Sequence, residues 1–175
     1  MFKFNFDNGL KANIWIDEEP KISSCDCSKL LIEESAEVFA SSKKIIVELF
    51  IPRAHNNYAL LGVDFLASKN GKVIVKLGIN KENDEKYNDS IALPFDTVIC
   101  GLLDEFEEGI ISSVDKYIKT KSLPSGIVTY NVYAYGEIGS SVDMFKRVSD
   151  ILLSLLVYDN IDEFIISEII KQNIN

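Results

Sequence analysis

Phe2, Phe4 and Phe6 alternate with polar residues, Asp7-Asn8-Gly9 follows, and Ala12, Ile14 and Ile16 then alternate in their turn. Alternation of period two puts one set of side chains on one face of a strand. Asn-Gly supplies the positive-φ positions that a tight reversal needs. Residues 2–16 therefore predict a β-hairpin, the clearest local signal in the chain. Trp15 falls on the opposite face from Ile14 and Ile16, either exposed or packed under another element.

Downstream, the period switches several times. DEEPKISSCDCS reads as a loop, with Pro20 barring a helix or central strand and Ser24 or Asp26 able to cap the next element. Lys29–Ser41 predicts a helix, with Leu31, Ser35, Val38 and Phe39 along one stripe. KIIVELFIP is a strand ended by Pro52, and residues 53–57 form a polar loop. YALLGVDFLA and KVIVKLGI predict two strands joined as a hairpin across Ser68-Lys69-Asn70-Gly71. Residues 79–90 are polar and acidic, an exposed loop. Leu103, Phe106, Ile110, Val114 and Ile118 share one face of a helix that Leu123-Pro124-Ser125-Gly126 ends. IVTYNVYAY is a strand of strong β-formers. Ser140–Val157 is a second long helix, with Phe145, Val148, Leu152, Leu155 and Leu156 inward. Asp159 or Asn160 caps a last helix, Ile161–Lys171.

The order ββαβββαβαα predicts an α+β two-layer sandwich, a mostly antiparallel sheet with helices on one face. The chain is expected to be a single domain over 1–175. It comprises an N-terminal hairpin and helix over 1–43, a core over 44–157 and a C-terminal helix over 158–175.

The balance of 18 basic and 27 acidic residues gives a net charge of −9. Acid concentrates between Asn80 and Glu108, where Glu82, Asp84, Glu85, Asp89, Asp96, Asp104, Glu105, Glu107 and Glu108 face two lysines. Phosphate backbones repel such a surface, so nucleic acid is an unfavourable partner and a basic protein a favourable one. No apolar run is long enough to span a membrane, and the N-terminus lacks the layout of a signal peptide, which predicts a cytoplasmic protein. Three cysteines, an odd count, fit free thiols better than a disulfide framework. Cys100 is expected in the core and the Cys25-Asp26-Cys27 pair in a loop or first helical turn. Three Cys and one His spread over three segments do not make a zinc site, so no metal and no cofactor are expected.

From Leu102 to Leu156 the chain resembles domain IV of the translational GTPase elongation factor G and of the ribosomal protection proteins. The resemblance is carried by LLDEF, by Ile110, Val114 and Ile118, by LPSG, by the alternating strand IVTYNVYAY and by SSVDMFK. YALLGVDFLA resembles the strand after that family's glycine-rich tip loop, which extends the similarity to about residues 57–157. The resemblance implies a left-handed β-α-β crossover scaffold and a translation-associated, ribosomal partner. Two tip loops carry that family's work; here PRAHNNY replaces the first, and Gly136-Glu137-Ile138-Gly139 shortens the second. No tip residue of the family transfers. Without G-x-x-x-x-G-K-[ST] the chain holds no nucleotide in the P-loop manner.

The same scaffold carries the GHMP small-molecule kinases, whose phosphate loop Ile138-Gly139-Ser140-Ser141 resembles in part. Gly139, Ser140 and Ser141 are thus candidate ligand-binding residues of a phosphate-binding enzyme, because amides at a helix start can hold an anion. The alternative is a plain helix start, with Gly139 in a tight turn, Ser140 as cap and Asp143 completing a Ser-x-x-acid box. His55 stands in a polar loop, where an exposed histidine is the simpler expectation, and no catalytic residue is assigned. The candidate partner-binding residues are Glu82, Asp84, Glu85 and Asp89 in the acidic loop and Ile161, Phe164, Ile165 and Ile169 on the last helix. That helix either docks on its own domain or pairs with another chain, a homodimer included. The expected function is non-catalytic protein binding; the alternatives are the phosphate-binding enzyme and an immunity-type neutraliser of a basic toxin.

Overall fold

The structure is a computed structural model and describes residues 1–79 and 85–174. Its strands are β1 (Phe2–Asn5), β2 (Lys11–Ile16), β3 (Ser28–Ser35), β4 (Lys43–Phe50), β5 (Tyr58–Ala67), β6 (Lys72–Gly78), β7 (Val98–Cys100) and β8 (Gly126–Gly136). Its helices are α1 (Asp104–Lys119), α2 (Val142–Leu155) and α3 (Glu163–Ile174). All these strands join one sheet in the order β1-β2-β4-β5-β8-β6-β3, with β7 pairing β8 off that path. β6 and β8 are parallel, and α1 lies in the connection between them; the other pairings are antiparallel. This is the expected α+β class, with the helices on one face.

The first hairpin forms as its alternation predicts. Phe2 pairs Ile14 and Phe4 pairs Ala12, with Gly9 at φ 82° in the turn. Ala12 and Ile14 face the helices, while Trp15 is buried on the opposite face at 7% exposure. The hairpin is not an appendage, because β2 pairs β4 along its whole length. The helical core runs from Leu10 to Ile170, through all three predicted segments.

Two expectations about the sheet are corrected. Residues 29–41 are not helical: Ser28–Ser35 is strand β3, pairing antiparallel with the open edge of β6. The expected stripe is not buried as one face, since Ser35 and Phe39 are exposed, and a register shift falls between Leu30 and Ile32. The extra residue in the bulge lets neighbouring Leu31 and Ile32 both lean on the core, which breaks the alternation expected of a strand. The β6 edge offers a row of backbone partners, which a helix could not have satisfied. Secondly, β5 and β6 do not form a hairpin, because β8 lies between them and pairs both.

β8 carries its own irregularity. Val63 faces Tyr130 but Gly62 faces Val132, so Asn131 is an extra residue. The bulge inverts the alternation. Val128 and Tyr130 face the helices before it, Tyr133 after it, while Val132 and Ala134 turn to the opposite face. At the same point the other edge of β8 changes partner from β6 to β7. The gap is closed by the Cys25 N–H on the Asn131 carbonyl (2.8 Å) and the Gly101 N–H on the Tyr133 carbonyl (2.9 Å).

α1 and α2 lie side by side and parallel. Gly109 meets the first turn of α2, where a Cβ would come within 2.3 Å of the Val142 carbonyl oxygen, so only glycine allows this approach. Farther along, the buried Asp150 accepts from Ser113 Oγ (2.6 Å), Lys116 Nζ (3.1 Å) and Lys146 Nζ (3.1 Å). α3 docks on this layer through Ile166, Ile169 and Ile170. Asp162, not Asp159 or Asn160, caps it by accepting from the Ile165 N–H (2.8 Å).

The sheet face away from the helices is also covered. Trp15, Ile46, Tyr58, Leu60, Val132 and Ala134 lie there beneath Tyr87, Ile91 and Ala92 on one side and Ile22 on the other. Residues 85–97 thus form a strap across the sheet rather than a free loop. Ser23 Oγ donates to Glu85 (3.0 Å), tying the two covering segments together.

Candidate functional site at the loop tip

Three segments meet at one end of the sheet: the β4–β5 loop, the strap just before β7, and the β8–α2 loop. They bring together PRAHNNY and Gly136–Gly139, about 80 residues apart in the chain. The Asn57 and Tyr58 N–H groups both donate to the Gly139 carbonyl (2.7 and 3.1 Å). The Glu137 N–H donates to the Thr97 carbonyl (3.0 Å). Ser140 Oγ donates to the Tyr58 carbonyl (2.8 Å) and accepts from the Gly136 N–H (2.9 Å).

The centre of the junction is Asp96, buried at 7% exposure. Its two carboxylate oxygens accept from the Ile138 and Gly139 N–H groups, at 2.9 Å each. These are amides to which a phosphate-binding loop would have turned. Here a carboxylate of the chain itself occupies them, and an exogenous anion would have to displace it. Gly139 lies close under two side-chain ends: a Cβ there would stand 2.1 Å from Asn57 Oδ1 and 2.5 Å from Asp96 Oδ2, so both would have to shift. Asn57 Nδ2 donates to the Arg53 carbonyl (3.1 Å), and its buried Oδ1, which has no hydrogen-bond donor among the described residues, sits over Gly139.

The helix start follows the capping chemistry, displaced by one residue. Ser141, not Ser140, is the cap of α2, accepting from the Met144 N–H (3.2 Å). Asp143 closes no box with it and pairs instead with Arg147 (2.7 Å). Ser140 braces the loop.

This framework holds apolar groups out to solvent. Phe95 is 70% exposed and Ile138 53%, on adjoining loops joined through Asp96. Arg53, His55, Asn56 and Glu137 are exposed beside them, Asn56 at a positive φ of 57°. The parallel helix pair adds charge, since the first turns of α1 and α2 lie together. Asp104, Glu105 and Glu108 are exposed there and have no ion pair among the described residues.

The strap has a second anchor that sequence reasoning missed. Glu48, wholly buried in β4, accepts from Asn13 Nδ2 (2.8 Å), Tyr58 O–H (3.0 Å) and the Ile91 N–H (2.9 Å). Burial raises its pKa, the three hydrogen bonds oppose that, and nearby Asp89 adds to it. The signal was present in KIIVELFIP, where one glutamate interrupts an apolar strand. Burial likewise raises Tyr87, and pushes the Cys100 thiol up to about 11. The group is sealed under the strap, and the hydrogen bonds of Glu48 to Asn13, Tyr58 and Ile91 fasten the strap to the sheet.

The remaining expected residues are dispersed. Glu85 and Asp89 are exposed on the strap, and Glu82 and Asp84 lie outside the described residues. On α3, Ile169 is buried, Ile165 leans on the core and Phe164 is 73% exposed, while Ile161, which precedes the helix, also leans on the core. Cys100 is buried as expected, Cys25 half-buried and Cys27 exposed. Among the described residues no group of three or more His, Cys, Asp or Glu could hold a metal ion, and no helix is long and apolar enough to cross a membrane. Comparison with protein-family models, with curated proteins and with solved structures gives no match.

Proposed function

We propose that this chain is a non-catalytic binding domain that engages a basic protein through its loop tip. The observation that carries this reading is the exposure of Phe95 and Ile138 on loops whose backbones are cross-braced by Asp96. A rigid aromatic and an aliphatic side chain, ordered before contact, suit an interface anchor because little conformational entropy is lost on binding. The basic character of the partner rests on Asp104, Glu105 and Glu108 beside the tip, which have no ion pair among the described residues, and on the net charge of −9. Resemblance to domain IV, whose tip loops do the work in that family, makes a ribosomal protein the first partner to test.

The test is site-directed photo-crosslinking with a benzophenone amino acid at position 95, 138 or 164, with ribosomes and cell extract. Adducts at 95 and 138 to a basic protein, lost as salt is raised, support the reading. Equal adducts from 164, adducts indifferent to salt, or none at 95 and 138 at low salt sink it.

A further inference from the structure

Away from the tip, a cleft of about 410 Å³ opens where β5 ends and the β3–β4 connection passes, lined by Phe39, Ala40, Ala67, Ser68 and Lys69. Its walls are held by backbone and side-chain hydrogen bonds. The Ala36 N–H donates to the Gly71 carbonyl (2.9 Å), and the Ser125 N–H to the Val38 carbonyl (2.7 Å). The Ala67 N–H donates to Ser42 Oγ (2.9 Å), and Ser41 donates through both N–H and Oγ to Asp159 (2.7 Å each). The cleft is therefore preformed, and its volume lies in the range of small-molecule sites.

Its chemistry is amphipathic. Phe39, 58% exposed, forms an aromatic wall beside Ala40 and Ala67. The carboxylates near the cleft are engaged, Glu37 with Lys121 (3.1 Å) and Asp159 with Ser41 and, at 3.9 Å, with Lys43. Lys69 is exposed and has no ion pair among the described residues. The cleft thus combines apolar walls with a cation that has no ion pair among the described residues.

We propose that this cleft binds a small amphipathic carboxylate. The hydrocarbon or aryl body lies against Phe39, Ala40 and Ala67, and the carboxylate meets the Lys69 ammonium. The net negative charge of the chain does not oppose this at physiological salt, where charges beyond about 8 Å are screened. A nearby ammonium acts as a point charge that selects the sign of the ligand head.

The experiment is an amide NMR titration of the full chain with decanoate, decanol and decylammonium at constant ionic strength. With decanoate, the amide signals of Ala40, Ala67, Ser68 and Lys69 shift saturably. Decanol and decylammonium bind more weakly, decylammonium by about tenfold or more, and Lys69→Glu lowers decanoate affinity by a similar factor of about ten. Phe39→Ala abolishes saturation. Both positions are exposed, so the thermal midpoints of the variants confirm that they fold. The assignment is overturned by an absence of saturable shifts, by equal binding of decylammonium, or by an unchanged affinity in Lys69→Glu. Shifts centred on the tip overturn it as well, and none of these outcomes bears on the protein-binding reading.

Discussion

Asp96 shows how one side chain decides what a loop can be. With its carboxylate on the Ile138 and Gly139 amides, the tip is braced from within. Asp96→Ala leaves one buried and one partly buried donor without an acceptor and is expected to cost about 2–6 kcal/mol at about 1–3 kcal/mol per orphaned group, measured by urea denaturation. Gly139→Ala forces its Cβ against Asn57 Oδ1 and Asp96 Oδ2, and overpacking of that kind costs about 1–3 kcal/mol. A Gly139→Ala protein as stable as the parent would show that the Asn57 and Asp96 side chains give way at no cost. Gly136-x-x-Gly139 and the serine pair announced a turn into a helix, and that much was legible. The filling of its amides was not, because Asp96 lies about forty residues away and only folding brings it there.

Glu48 gives a pH prediction whose sign is fixed by burial. Its folded pKa is raised, so the folded protein holds this proton more tightly than the unfolded chain does. The contribution is fully present below the ordinary glutamate pKa of about 4.3 and is lost as pH rises through the raised folded value. Wild-type stability, compared with Glu48→Gln, should therefore decline across that interval. The variant carries a constant penalty, because its amide –NH₂ meets donors, but not this slope. Parallel profiles for the two proteins would refute the assignment.

At the scale of elements, α2 is the best anchored. It is capped at its start by Ser141 and lacks a basic residue in its own last turn. Lys43 of β4 supplies the missing charge at its end. This buried lysine donates to the Leu156 carbonyl (3.3 Å) and to the Tyr158 carbonyl, and burial lowers its pKa although Asp159 and Asp17 raise it. Cations complement the carbonyl end of a helix. Lys43→Met keeps most of the stem but leaves the carbonyls bare, and a loss of about 1–2 kcal/mol is expected, read from thermal unfolding. Asp150 binds α1 to α2, so Asp150→Ala, which strands the buried Ser113 hydroxyl and removes two ion pairs, is expected to cost about 2–4 kcal/mol in the same measurement. The helical stripes of α1 and α2 could be read from spacings of three and four, because the local period itself records which face is buried. β3 could not. Its two core-facing neighbours come from a bulge, and a bulge is set by the partner strand.

At the scale of the molecule, one apolar core links the hairpin to α3, and Trp15 reports from the second face of the same sheet. A single cooperative transition is expected, with Trp15 fluorescence and far-ultraviolet circular dichroism giving coincident curves. Separate midpoints would show that the strap face melts independently.

Legible in the residues alone were the α+β class, the first hairpin and three of the four expected helices. Each of these is written in local periodicity or composition, and local periodicity is a record of burial. The tertiary structure alone decided that β8 lies between β5 and β6, that Glu48 and the strap seal the second face, and that Asp96 closes the tip. Strand order and buried polar partners depend on contacts between residues far apart in the chain. Those contacts come from the pairing of sheet edges and from the need of each buried donor or acceptor for a partner, neither of which leaves a period in the sequence.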